Sequence, residues 1–262
     1  MTLARPLITA AGLLLLWQAV VVLSGVPPYI LPGPLRVGGA WLAQFDIILG
    51  HALVTFAEIL LGLFFGTLLG ALSAISMSYF RPARRWLLPL LVVSQAVPVF
   101  AIAPLLMLWV GYGMASKVVM ATLIIYFPVT ASLFDGLRRT EPGWLDLART
   151  MTAGSGRGRW ATLYHIRFPA ALPAFASGLR VAAAVAPIGA IVGEWVGASA
   201  GLGYLMLHAN GRMQTDLMFA ALLTLALFAV LLYFGLDGLL RRLLVWQPEI
   251  LPEEEPFPTE RE

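Results

Sequence analysis

Polar chemistry in this chain is concentrated in one stretch. From Asp146 to Pro173 the sequence reads DLARTMTAGSGRGRWATLYHIRFPAALP. Arg149, Arg157, Arg159 and Arg167 stand there against a single acid, Asp146. Such a set offers charge and hydrogen bonds to a partner surface but no catalytic constellation. No Ser-His-Asp set or carboxylate pair occurs at usable spacing. His51, His165 and His208 lack ligand spacing, and the absence of Cys removes a disulfide framework and any Cys-based metal site. No metal site is expected. The other groups with chemical potential are Glu58 and Glu194, and Ser94 and Gln95 just before Pro98.

The elements that carry these residues are apolar. Of 262 residues, 60% are hydrophobic and 12% charged, where a soluble domain has about a quarter charged. The composition describes an all-α, polytopic membrane protein. A formal charge of +3 gives no reason to expect a nucleic-acid partner. A span needs about 20 apolar residues, and six stretches qualify: roughly 7–23, 52–77, 86–110, 118–137, 174–196 and 217–240. The apolar stretch after Arg5 is long and lacks a small-x-small cleavage site, so it reads as a retained first span. Pro27, Pro28, Pro32 and Pro34 make a rigid connector, followed by an amphipathic turn around Val37–Leu49. Gly62, Gly66 and Gly70 suit close helix packing in the second span. Pro98 and Pro104 interrupt the third. Residues 1–51 therefore read as a first span with its connector, 52–242 as the main transmembrane domain, and 243–262 as an acidic, Pro-rich, disordered tail.

Charge sets the topology. With the N-terminus inside, the cytoplasmic side receives Arg5, Arg81, Arg84, Arg85, Arg138, Arg139, the polar segment, Arg241 and Arg242. The outer side receives Arg36, Lys117 and Arg212. This is the positive-inside asymmetry of a multi-pass plasma-membrane protein with both termini cytoplasmic. The polar segment then lies in the cytoplasm, where it can dock a soluble partner.

That segment resembles the cytoplasmic loop of the membrane subunits of type I ABC importers. Their pattern is E-A-A, three residues, Gly, nine residues, then I-x-L-P. Here Asp146-Leu147-Ala148 stands for the triplet and Ile166-Arg167-Phe168-Pro169 for the exit. Gly156 lies at the right distance from Ile166, and about four residues, Thr152–Ser155, are extra. The resemblance covers about Ala52 to Leu240. Ser177-Gly178-Leu179-Arg180 and Gly201-Leu202-Gly203-Tyr204-Leu205 look like the branch that imports nitrate, sulfonates, taurine and hydroxymethylpyrimidine thiamine precursors. The run from Val192 to Leu222 most resembles the hydroxymethylpyrimidine members.

The resemblance implies a binding-protein-dependent permease, not an enzyme. It implies a coupling segment over 141–173 that docks an ABC ATPase subunit through Asp146, Leu147, Ala148, Arg149, Thr150, Gly156, Ile166 and Pro169. In it Asp146 would cap a short helix, and Pro169 and Pro173 would set the turn into the fifth span. It also implies a periplasmic or lipid-anchored solute-binding protein, a second copy of the chain as homodimer partner, and membrane lipid around it. No cofactor is expected in the chain itself. It lacks GxxxxGK[ST], its one Lys, Lys117, following Ser116, so ATP would be used by a separate polypeptide. Ionisable groups within spans are functional candidates by default. Glu58, Ser94, Gln95 and Glu194 are accordingly the substrate-pathway candidates, Glu58 and Glu194 near the outer ends of their spans.

Overall fold

The computed structural model describes residues 4–152 and 158–246. Eleven α-helices and one π-helical turn make up the described chain. Helix α1 (Ala4–Ser24) is apolar and largely exposed along its length. It touches the bundle through Trp17, stacked on Phe219 at 6.1 Å between ring centres. The Pro-rich connector turns on a hydrogen bond from Ile30 N–H to Pro27 O and leads into α2 (Pro34–Ala43), with Pro34 in the first turn. A proline suits that position because its missing N–H has no intrahelical partner there. The amphipathic turn expected over 37–49 is divided: α2 ends at Ala43, Gln44 leaves helical geometry, and α3 begins at Phe45.

Helix α3 (Phe45–Tyr79) runs 35 residues, about 52 Å at 1.5 Å per residue. It packs with α6 (Met114–Arg138) and α9 (Phe168–Gly197) as the centre of the bundle. Gly62, Gly66 and Gly70 make the closest approach. A Cβ at Gly66 would stand 2.6 Å from Ile125 Cγ2, and one at Gly70 would stand 3.0 Å from Thr130 Oγ1. Small residues bring helix backbones together where lipid supplies no hydrophobic drive. Helix α11 (Thr215–Leu243) closes one side, with Phe228 stacked on Phe56 at 3.8 Å. Arg180 of α9 donates to Asp237 of α11 at 2.6 Å, and Arg241 donates to the same carboxylate at 2.8 Å.

The third expected span departs from a straight crossing. Helices α4 (Arg81–Ala96) and α5 (Val99–Val110) meet at 105°. Pro98 ends the helix instead of kinking it. It disfavours helical geometry at the preceding residue, and Val97 is extended at φ −90°, ψ 117°. Pro104 is accommodated inside α5. Four helical segments are long and apolar enough to cross a membrane: Phe45–Tyr79, Met114–Arg138, Gly158–Gly197 and Thr215–Leu243. The bent pair adds a fifth crossing if it counts as one span, and α1 supplies a shorter apolar helix. Helix α10 (Leu202–Gly211) is short and lies at the end of the bundle opposite the polar segment. The expected tail over 243–262 falls outside the described residues beyond Trp246.

Candidate functional site

The polar segment folds into α7 (Pro142–Met151), α8 (Gly158–Thr162) and a π-helical turn (Leu163–Arg167) that runs directly into α9. The turn expected at Pro169 and Pro173 is absent, and helix continues from Gly158 to Gly197. Pro169 sits in the first turn of α9, where it has no N–H to offer the carbonyl four residues back. The π-helical turn lies immediately before it. Such widened turns absorb an interrupted hydrogen-bond ladder without breaking the helix.

Two arginines tie this segment to the spans. Arg167 donates from Nε (3.0 Å) and Nη2 (2.6 Å) to Leu137 O, at the end of α6. Arg159 donates from Nη2 to Tyr79 O at 2.8 Å, at the end of α3, and its guanidinium lies 4.9 Å from the Tyr79 ring centre. Each guanidinium thus satisfies a carbonyl that a helix end leaves without an intrahelical donor.

Asp146 does not cap α7 as expected. Glu141 and Pro142 open that helix, and Asp146 lies in its middle, bonded to Arg149 at 2.7 Å. The pair is 69% and 77% exposed. Thr150 bonds Leu147 O within the helix, Ala148 is buried beneath it, and Leu147 is exposed. Leu147, Ile166 and Pro169 come together on one groove of about 730 Å³, shared with Trp144, Arg139 and Trp246. Arg149 lines a neighbouring cavity of about 440 Å³ with Tyr79, Arg159 and Arg167. Gly156 lies outside the described residues, as does the four-residue enlargement apart from Thr152 at the C-terminal end of α7.

At the opposite end of the bundle, Glu58 and Glu194 meet in one buried cluster. Their exposures are 0% and 1%, so neither is the water-side acid that the span boundaries suggested. Lys117, expected in an outer loop, belongs to the first turns of α6, is 4% exposed, and sets Nζ 3.4 Å from Glu58 Oε1. Thr55 Oγ1 donates to Glu194 Oε1 at 2.6 Å and accepts from Leu202 N–H at 2.7 Å. Glu194 Oε2 accepts the N–H groups of Gly203 (2.5 Å) and Tyr204 (3.3 Å), at the start of α10. The N-terminus of α10 faces the Glu194 carboxyl group with the favourable end of its dipole.

Ser94 and Gln95 are not part of that cluster. Both are exposed, beside the 105° bend, with Ser94 bonded to Leu91 O. The four pathway candidates therefore occupy two different environments. Sequence reasoning missed Thr55 and misplaced Lys117. Their signal was nonetheless present: a buried carboxylate within a span needs a cation nearby, and Thr55 precedes Glu58 by three residues, on the same helix face. His51 and His208, at this end of the bundle, are also closer than their spacing implied. His51 accepts from Gly201 N–H at 3.1 Å, and the Tyr204 and His208 rings lie 4.0 Å apart, tilted by 36°.

Residues 66–245 match the family model described as "Binding-protein-dependent transport system inner membrane component". The chain belongs to that family. The permease is 56% identical over 93% of its length to a probable ABC transporter permease of Haemophilus influenzae, covering 98% of that relative. It is 39% identical to the riboflavin transport system permease of Chloroflexus aurantiacus, over 92% of this chain and 89% of that one. It is 34% identical to the formylaminopyrimidine transport permease of Halalkalibacterium halodurans, over 90% and 92%. Taurine and sulfonate permeases are found at lower identity. The inward-facing MetNI methionine ABC transporter has a chain of the same fold: TM-score 0.64, 18% identity, covering 76% of this chain and 97% of that one. The permease is thus an inner-membrane subunit of an ABC importer and not an enzyme; hydrolysis falls to a separate ATPase, and the family's transport depends on a solute-binding protein.

Proposed function

We propose that the permease carries a hydroxymethylpyrimidine-type thiamine precursor through a pathway formed by two copies of the chain. The supporting observation is that relatives 39% and 34% identical over nine-tenths of the chain are named for riboflavin and a formylaminopyrimidine, both nitrogen heteroaromatics. The second reading, a taurine or sulfonate solute, is favoured by the relatives named for those compounds.

Both termini and the polar segment lie in the cytoplasm in this reading, as the Arg-rich helix ends require. The ATPase docks on α7 and the groove beside it, using Asp146, Leu147, Arg149, Ile166 and Pro169, with Ala148, Thr150 and Gly156 shaping the segment. Exposed Leu147 and Trp144 give that surface an apolar anchor, and Arg149 gives it charge. The solute-binding protein docks at the α10 end. Closure of the ATPase pair moves the coupling segments, and Arg167 and Arg159 carry that movement into α6 and α3. Ser94 and Gln95 at the α4–α5 bend face the pathway between the two copies; Glu58 and Glu194 are closed off from it in this conformation. No cofactor is held by the permease.

The test is uptake of labelled hydroxymethylpyrimidine into vesicles carrying the permease, its ATPase and its solute-binding protein. ATP-dependent uptake that unlabelled hydroxymethylpyrimidine competes and taurine does not is the expected result. Competition by taurine with no hydroxymethylpyrimidine uptake would replace this solute with a sulfonate.

A further inference from the structure

Glu194 stands at one end of a helix whose other end is the coupling segment. Helix runs unbroken from Gly158 to Gly197. The distance from Arg167, bonded to Leu137 O, to Glu194 is 27 residues, about 40 Å of helix. At its far end Glu194 holds α10 by the backbone N–H groups of Gly203 and Tyr204. Thr55 doubles the grip by bonding both Glu194 and Leu202 N–H. Three successive N–H groups at the start of α10 are thereby held by side chains of α9 and α3.

The connecting sequence is shaped to this contact. Gly201 has φ +116° and ψ 163°, a conformation open essentially to glycine alone. A Cβ at Gly201 would collide with the Glu194 carboxyl group, and one at Gly203 would stand 2.9 Å from Glu194 Oε2. Burial of the carboxyl group makes the contact stiff: at 1% exposure its oxygens have no water to turn to.

We infer that Glu194 is a positioning residue for transport: it locks α10 to α9, so that the helix receiving the ATPase's motion at one end moves the outer-face helix at the other. The inference rests on the proposed topology and on ATPase docking at the coupling segment. Neither Glu194 nor α10 touches nucleotide in this scheme; the role is to make α10 part of the lever.

The chain has no Cys, so single cysteines report cleanly. Leu207→Cys, exposed on α10, and Ser199→Cys, exposed just beyond α9, are labelled with a membrane-impermeant maleimide. The sample is the permease–ATPase complex in sealed right-side-out vesicles, with or without ATP and vanadate inside. With Glu194 intact, labelling at both sites changes with nucleotide. In Glu194→Ala the change persists at Ser199→Cys, and at Leu207→Cys the ratio of rates falls to about 1, because α10 no longer distinguishes the two states. Glu194→Gln, which keeps an acceptor oxygen, retains part of the response. A nucleotide response at Leu207→Cys undiminished in Glu194→Ala overturns the inference. If Glu194→Ala does not assemble, Thr55→Val supplies the same comparison by removing one of the two grips. Absence of outside labelling at Leu207→Cys, or of any response at either site with Glu194 intact, would refute the topology or the ATP coupling, and the inference with it.

Discussion

Two acid–base pairs at opposite ends of the bundle invite comparison. Asp146 and Arg149 are 2.7 Å apart and mostly exposed; Glu58 and Lys117 are 3.4 Å apart and almost fully buried. The shorter pair is the weaker one. In water its attraction is screened and the two side chains lose entropy, leaving about 0–1 kcal/mol. The buried pair gains little net stability either, since both ions lost their hydration, but removing one partner strands the other. Distance alone therefore misjudges what each pair does. The exposed pair sits on an exposed helix face and leaves its charges accessible to a partner. The buried pair fixes where α3 and α6 stand.

That contrast makes ordered expectations for thermal unfolding of the purified permease. Lys117→Met should cost about 3–5 kcal/mol, the penalty for an unpaired buried charge, and Lys117→Met with Glu58→Leu should recover most of it. If Lys117→Met melts like the parent protein, the two pairs are not different in kind. Gly201→Ala comes next, at about 3 kcal/mol, since it combines a backbone conformation reserved for glycine with crowding of a buried carboxylate. Arg167→Ala should cost about 2 kcal/mol, by loss of two charged hydrogen bonds to Leu137 O, and should slow ATP-driven uptake beyond that loss. Arg167 lies at the same end as the exposed pair, yet it bonds inward to Leu137 O. Asp146→Ala is the smallest change, under about 0.5 kcal/mol in melting, with its effect appearing instead as weaker retention of the ATPase.

Much of this was legible in residue spacing. Apolar runs located the long helices, and Gly62, Gly66 and Gly70 marked the face of α3 that meets α6. The polar segment and its chief residues were visible as a break in apolar sequence. Spacing could not show that His51, Thr55 and Glu58 continue the same stripe as those glycines, because a polar stripe at a span end looks like contact with water. Only packing brings Lys117 and Glu194 against it from helices about 60 and 140 residues away in sequence. Asp146 was misplaced for a related reason. An acid is favoured at a helix N-terminus, which suggested a cap, whereas Pro142 already starts the helix one turn earlier. The interruption at Pro98 was legible but its 105° angle was not, and Pro104 interrupts nothing, since a proline within a span can kink, be tolerated or break it. Pro128, Pro104 and Pro98 show unequal outcomes: the first two lie inside helices, and the last separates two.

In the proposed scheme α7 and its groove are the ATPase socket. Leu147→Asp combined with Asp146→Lys reverses the chemistry of that surface while touching only exposed side chains. The direct measurement is co-purification of the ATPase with this variant, beside a melting curve of the variant alone. Loss of the ATPase with an unchanged melting temperature is the expected result. Full retention of the ATPase would rule out α7 and its groove as the socket.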